Sequence, residues 1–123
     1  MNDLDRIILK GMRFFGEHGA YVTEKEEGQW FEVDADIYGD YRKAAVTDNL
    51  EDALDYSKAY EAVKRIVEGP SLNLVEHLAH QISQALLELP LAQKVRVRVK
   101  KPEAPLGGPF EFAGVEIVRC KHE

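Results

Sequence analysis

The chain has 123 residues, 45% hydrophobic and 31% charged. That is the size and composition of one globular domain over residues 1–123, and it excludes a disordered tail, a collagen rod and a disulfide scaffold. Lys plus Arg number 16 against 22 Asp plus Glu, a net charge of −6, so there is no electrostatic footprint for nucleic acid or an anionic membrane.

Cys120 is the single cysteine and has no intrachain partner, which fits a reducing compartment. No apolar run approaches the roughly 18 residues of a membrane span. The opening Met-Asn-Asp-Leu-Asp-Arg lacks the basic-then-apolar order of a signal peptide. A cytoplasmic protein is expected.

The first periodic segment is Ile7–Phe15. Ile8, Met12 and Phe14 share one parity, and Ile7, Leu9 and Phe15 the other, which predicts a strand covered at least in part on both faces. A polar stretch, Thr23–Glu27, lies among Gly16, Gly19 and Gly28 and reads as a loop. In the second strand Phe31, Val33, Ala35 and Ile37 alternate with Glu32, Asp34, Asp36 and Tyr38, giving one apolar and one acidic face.

Helical spacing begins near Asp55, with Tyr56, Ala59, Tyr60, Val63, Ile66 and Val67 as the apolar stripe. Gly69-Pro70 stops this helix. A second helix carries Leu74, Val75, Leu78, Ile82, Ala85, Leu86 and Leu89 and ends at Pro90. Asn73 followed by Glu76 is a capping-box pattern, so the helix is expected to start at Asn73. Val95, Val97 and Val99 alternate with Arg96, Arg98 and Lys100 in a third strand, and a fourth runs from about Phe112 to Arg119.

The order strand, strand, helix, helix, strand, strand predicts an α+β fold, an antiparallel sheet with the helices on one face. The other face would carry Asp34 and Asp36 against Arg96 and Arg98, as cross-strand charge pairs if the strands are neighbours.

Lys101 continues the inward parity of the valines. If the strand reaches it, a lysine faces the apolar side, where burial disfavours its charged form and makes it a usable general base. If Pro102 marks the strand's end, the side chain reaches water instead. Glu76 is either a capping partner or a carboxylate able to grip two parallel N–H donors of a heterocycle. Glu24, beside Lys25, Glu26 and Glu27, reads alone as a solvated charge, and Tyr56 as packing. His18 reads as structural or as a ligand. His77 and His80 stand three apart on a helix without an obvious third metal ligand. There is no nucleophile elbow, phosphate loop or dinucleotide fingerprint.

Four blocks together resemble the dihydroneopterin aldolase family. They are Ile8-Leu9-Lys10-Gly11-Met12-Arg13-Phe14-Phe15-Gly16-Glu17-His18-Gly19-Ala20 with Glu24 following; Thr47-Asp48-Asn49-Leu50-Glu51-Asp52-Ala53-Leu54-Asp55-Tyr56; Asn73-Leu74-Val75-Glu76-His77-Leu78-Ala79; and Val97-Arg98-Val99-Lys100-Lys101-Pro102 followed by Ala104-Pro105 and Val115-Glu116-Ile117-Val118-Arg119. The resemblance implies a tunnelling fold: a four-stranded antiparallel sheet with two helices on one face, four subunits joining sheets into a barrel, two such rings stacking, and active sites between subunits.

It also implies cleavage of dihydroneopterin to 6-hydroxymethyl-dihydropterin and glycolaldehyde, without metal, Schiff base or other cofactor. By the same resemblance Lys101 is the catalytic acid/base, Tyr56 protonates the enol-like intermediate from a neighbouring subunit, and Glu76 anchors the pterin. Glu24 orients substrate and water, and the backbone of Ala53, Leu54 and Val75 lines the pocket. Epimerisation through the same intermediate is expected. The runner-up readings are an epimerase acting on dihydroneopterin triphosphate and a non-catalytic pterin-binding ring. Glu103, and Leu106-Gly107 in place of Ile-Pro, depart from the family's usual pattern after the lysine and bear on side-chain specificity.

Overall fold

The computed structural model describes residues 4–122. Four strands, β1 (Asp5–Gly16), β2 (Gln29–Gly39), β3 (Lys94–Lys101) and β4 (Ala113–Cys120), form one sheet in the order β1-β2-β3-β4. Every neighbouring pair is antiparallel. Between β2 and β3 lie the two long helices, α3 (Tyr56–Val67) and α4 (Val75–Leu87). Both pack on the same sheet face, α3 against β1 and α4, and α4 against β3 and β4. The expected α+β arrangement is present.

Two short helices interrupt segments read as irregular. Thr23–Glu27 is not a loop: it lies in α1 (Val22–Glu27). A further helix, α2 (Arg42–Thr47), and a 3₁₀ turn at Leu50–Asp52 precede α3. Each is shorter than two turns, too short to show a helical apolar period.

The core is the layer between sheet and helices. Phe31, Val33, Ala35 and Ile37 from β2 meet Val95, Val97 and Val99 from β3, under Ala59, Val63 and Val67 of α3 and Leu78, Ile82 and Leu86 of α4. Tyr56 and Tyr60, counted in the α3 stripe, are not in this core; Ala62 is buried instead. The cap of α3 is Asp55, whose side chain accepts from the Ser57 N–H at 2.9 Å. The capping box expected at Asn73 does not form. Leu74 occupies the N-cap position of α4 without a side-chain bond, and Glu76 stands in the first turn.

The two apolar parities of β1 have a cause other than cover on both faces. Register shifts between Leu9 and Met12. Gly11 has φ 73°, a conformation glycine adopts without steric cost, and its N–H donates to Asp34 Oδ1 at 2.8 Å. This bulge swaps faces, so Ile7 and Leu9 join Met12 and Phe14 on the core side, while Ile8 and Phe15 stay exposed.

The opposite sheet face is charged, as expected. Register sets Asp34 across from Arg98 and Asp36 across from Arg96, but these pairs do not form ion pairs. Asp36 takes Arg6 at 3.1 Å, Asp34 takes Lys100 at 3.2 Å, and Arg98 takes Glu116 at 2.7 Å. Arg98 pairs with the carboxylate directly opposite it on β4 rather than the one on β2, Lys100 takes Glu32 directly opposite as well as the diagonal Asp34, and Arg6 reaches diagonally to Asp36. Among the described residues no helix is long and apolar enough to cross a membrane.

Candidate active site

β3 stays regular through Lys101, so its parity carries the lysine to the helix-covered side of the sheet. Lys101 neither snorkels to water nor faces only hydrocarbon. Its side chain is 13% exposed and its ammonium donates to Glu24 Oε2. The inward parity was legible; the counter-ion was not, because Glu24 is distant in sequence. Lys100, one residue earlier, points to the other face. It sits between Glu32 and Asp34, at 3.1 and 3.2 Å, and over the Phe112 ring. The bond to Glu32 is the main reason that its ammonium is held above its ordinary range, against desolvation.

Glu24 is not a solvated charge. It is 6% exposed, at the third position of α1, where its Oε1 accepts from the Tyr21 backbone N–H at 3.3 Å. Oε2 accepts from Lys101 and, at 3.0 Å, from Gln29 Nε2. Burial raises the proton affinity of the carboxyl, but the bonds from Lys101, Gln29 and Tyr21 outweigh it and hold Glu24 below its ordinary value. Space for this carboxylate exists because residue 19 is glycine; a Cβ there would overlap the Glu24 side chain.

His18 settles as structural. It is fully buried, its Nε2 lies 2.6 Å from the Val67 carbonyl and its Nδ1 accepts from the Leu72 N–H at 3.0 Å. That pair of bonds requires the neutral Nε2–H tautomer. Burial, with Lys25 nearby, pushes the ring's proton affinity down despite the Val67 bond and Glu17. The adjacent Gly19 N–H donates to Leu72 O at 2.9 Å. These bonds tie the segment leading to Glu24 to the turn leading into α4, where Val75 and Glu76 stand.

Glu76 is exposed on the first turn of α4 and has no ion-pair or hydrogen-bond partner among the described residues. A free carboxylate at a helix start, not folded back as a cap, is available to a ligand. Val75 is half-buried beside it, Leu54 is buried, and Ala53 ends the 3₁₀ turn. Tyr56 opens α3 with 61% of its surface exposed, so the packing reading fails. No hydrogen bond joins Tyr56 to Lys101, Glu24 or Glu76 among the described residues. Within one chain, then, the fold brings Glu24 and Lys101 into contact and leaves Tyr56 and Glu76 open to solvent.

His77 and His80 stack at 6.2 Å between ring centroids, and His77 meets Gln81 at 3.1 Å. No group of three His, Cys, Asp or Glu side chains able to hold a metal occurs among the described residues.

Gln29 was missed by sequence reasoning. The signal was present: it continues the Phe31–Ile37 core parity at the start of β2 as Lys101 continues the valine parity at the end of β3. A polar residue on an apolar parity marks both.

The family model for dihydroneopterin aldolase matches residues 7–118. A dihydroneopterin aldolase of Staphylococcus epidermidis is 39% identical over 120 residues, covering 97% of this chain and 98% of that one. One of Streptococcus pyogenes serotype M1 is 36% identical over 117 residues, covering 94% and 98%. Among solved structures, the Escherichia coli dihydroneopterin aldolase in complex with neopterin has a TM-score of 0.82 at 30% identity, covering 94% of this chain and 98% of that one. The Burkholderia thailandensis dihydroneopterin aldolase bound to guanine has a TM-score of 0.77 at 26% identity, covering 97% and 93%.

Proposed function

This chain belongs to the dihydroneopterin aldolase family and is an aldehyde-lyase, and from that premise we propose how its residues divide the work on 7,8-dihydroneopterin. The observation that carries the proposal is the buried Lys101–Glu24 pair. Glu76 accepts from the 2-amino group and the adjoining ring N–H of the pterin, a two-point grip suited to a carboxylate. The backbone of Ala53, Leu54 and Val75 lines the flat of the ring.

The C1′–C2′ bond breaks only if its electron pair has somewhere to go. The N5=C6 imine of the substrate is that sink once N5 is protonated. The Lys101 ammonium gives N5 its proton. The amine so formed takes the proton of the C2′ hydroxyl, and glycolaldehyde leaves as C2′ becomes a carbonyl. The electron pair moves into C6=C1′, giving an enol-like pterin with N5–H. Tyr56 protonates C1′, the imine reforms, and the N5 proton restores the phenol. Glu24 stays ionised throughout and keeps the lysine in place for both transfers. Re-addition of glycolaldehyde to the other face of the same intermediate would give epimerisation.

Two features support an assembly in which neighbouring subunits complete the site. Tyr56 is far out on the surface, and β1 and β4 each leave an edge unpaired in the single sheet. Edges of 12 and 8 residues favour joining to other sheets. The charged face would then line a tunnel. We expect a homo-oligomer of four or eight subunits, resident in the cytoplasm. The triphosphate epimerase is not favoured: Lys100 and Arg98 are engaged by carboxylates, and an exposed acid, Glu103, follows Lys101 by two residues.

The test is incubation of purified protein with 7,8-dihydroneopterin in the presence of a metal chelator. Equal amounts of 6-hydroxymethyl-dihydropterin and glycolaldehyde are expected. Epimer without cleavage, or bound pterin without reaction, would overturn the assignment.

A further inference from the structure

Gln29 opens β2 opposite Gly16 and is 6% exposed. Its Nε2 donates to Glu24 Oε2, the same oxygen that receives the Lys101 ammonium. Its Oε1 is buried and has no hydrogen-bond partner among the described residues. A buried unmet acceptor is costly, and most native structures hold few of them. Turning the amide over would not remove the cost: it would press Oε1 against the Glu24 carboxylate. The orientation is therefore dictated by Glu24.

We propose that Gln29 is a positioning residue for the catalytic pair, its amide N–H fixing Glu24 Oε2 at the point where Lys101 must return after each proton transfer. The inference rests on the roles of Glu24 and Lys101 argued above. A neutral donor suits the task. A lysine or arginine at position 29 would compete with Lys101 for the carboxylate, and a glutamate would repel it. Glutamine adds a second donor and leaves the pair with no net charge.

The charged and donor groups facing Glu24 among the described residues are Lys101 from β3, Gln29 from β2 and the Tyr21 backbone N–H from its own helix start. Removing one of the donors that hold the carboxyl ionised shifts it upward.

The experiment uses Gln29→Met, which keeps length and burial but deletes the donor, and Gln29→Glu. We expect Gln29→Met to lose about tenfold or more in kcat with KM within about twofold, because no pterin contact is removed. The acid limb of its kcat/KM profile should move to higher pH. Gln29→Glu should move it further, because a second carboxylate beside Glu24 disfavours its ionised form. If Gln29→Met does not fold, Gln29→Glu carries the test alone.

An unchanged kcat and acid limb beside a lowered Tm would make Gln29 a packing residue and overturn the proposal. Glu24 should also be titrated by carboxyl carbon NMR in wild type and variant, a readout independent of turnover. A wild-type enzyme that cleaves nothing sinks the functional reading above. A Glu24 titration unmoved by Gln29→Met sinks this one.

Discussion

Replacing Lys101 by methionine keeps the side chain's length and removes its charge, leaving Glu24 in place with the Tyr21 and Gln29 bonds. The side chains of the pair are 13% and 5% exposed, so solvent screens little of the change. Stripping one partner from a fully buried pair costs about 3–5 kcal/mol, most of it the stranded charge. Two of three donors survive here, so we expect a loss of about 2 kcal/mol at neutral pH. For a chain of this size that lowers Tm by about 6–10 °C at fixed protein concentration.

The pH dependence separates this cause from lost packing. In the wild type Glu24 is held below its ordinary 4.5, so its contribution is present above pH 4.5 and lost as pH falls through the folded value. In Lys101→Met burial has no ammonium to oppose it, and the carboxyl should rise above 4.5. A raised acid binds its proton more tightly folded than unfolded, so the penalty is full well above the raised value and relieved as the pH falls. Urea midpoints at pH 8 and pH 5 should show the gap from wild type narrowing at pH 5. An equal gap at both would refute the reasoning and return Lys101 to a packing role.

His18 gives a second pH signature. Its folded value lies below the ordinary 6.5, so its contribution is full above pH 6.5 and lost as the pH falls toward the folded value, where the unfolded chain binds the proton first. His18→Asn should lose that slope in urea titrations between pH 7 and 5, and about 1–2 kcal/mol at pH 7 from the unmet Val67 carbonyl. Glu76→Ala should weaken pterin binding by about 2 kcal/mol or more, roughly thirtyfold, by calorimetry, with Tm within about 1 °C since the carboxylate has no partner in the fold. Gly19→Ala should displace the Glu24 carboxylate and cut kcat by about 10²-fold, read in steady-state kinetics, with pterin affinity near wild type.

What was legible in the sequence followed from periodicity. Alternation at 31–37 and 95–99 and the helical stripes set the two central strands, two helices and one core. The β1 reading failed because a bulge shifts parity without changing composition; Gly11 was the visible hint, but its Asp34 partner is far along the chain. The charge pairs failed because register places residues opposite without deciding which carboxylate a long side chain reaches. Lys101 was found by parity and by resemblance together. Glu24 was marked by resemblance alone, and its contacts with Lys101 and Gln29 arise only where β2, β3 and α1 meet at one corner, a meeting that chain-local patterns cannot show. Tyr56 was exposed where amphipathic spacing suggested cover, because a first-turn residue can point past the end of the sheet.

The central claim is that Lys101 carries the proton while other groups hold the pterin. Single-turnover cleavage of 7,8-dihydroneopterin by folded Lys101→Met, beside its affinity for 6-hydroxymethyl-dihydropterin, tests it most directly. The account predicts a rate lower by about 10²–10⁴-fold with product affinity within a few-fold of wild type. Cleavage at a wild-type rate would contradict it, whatever the affinity.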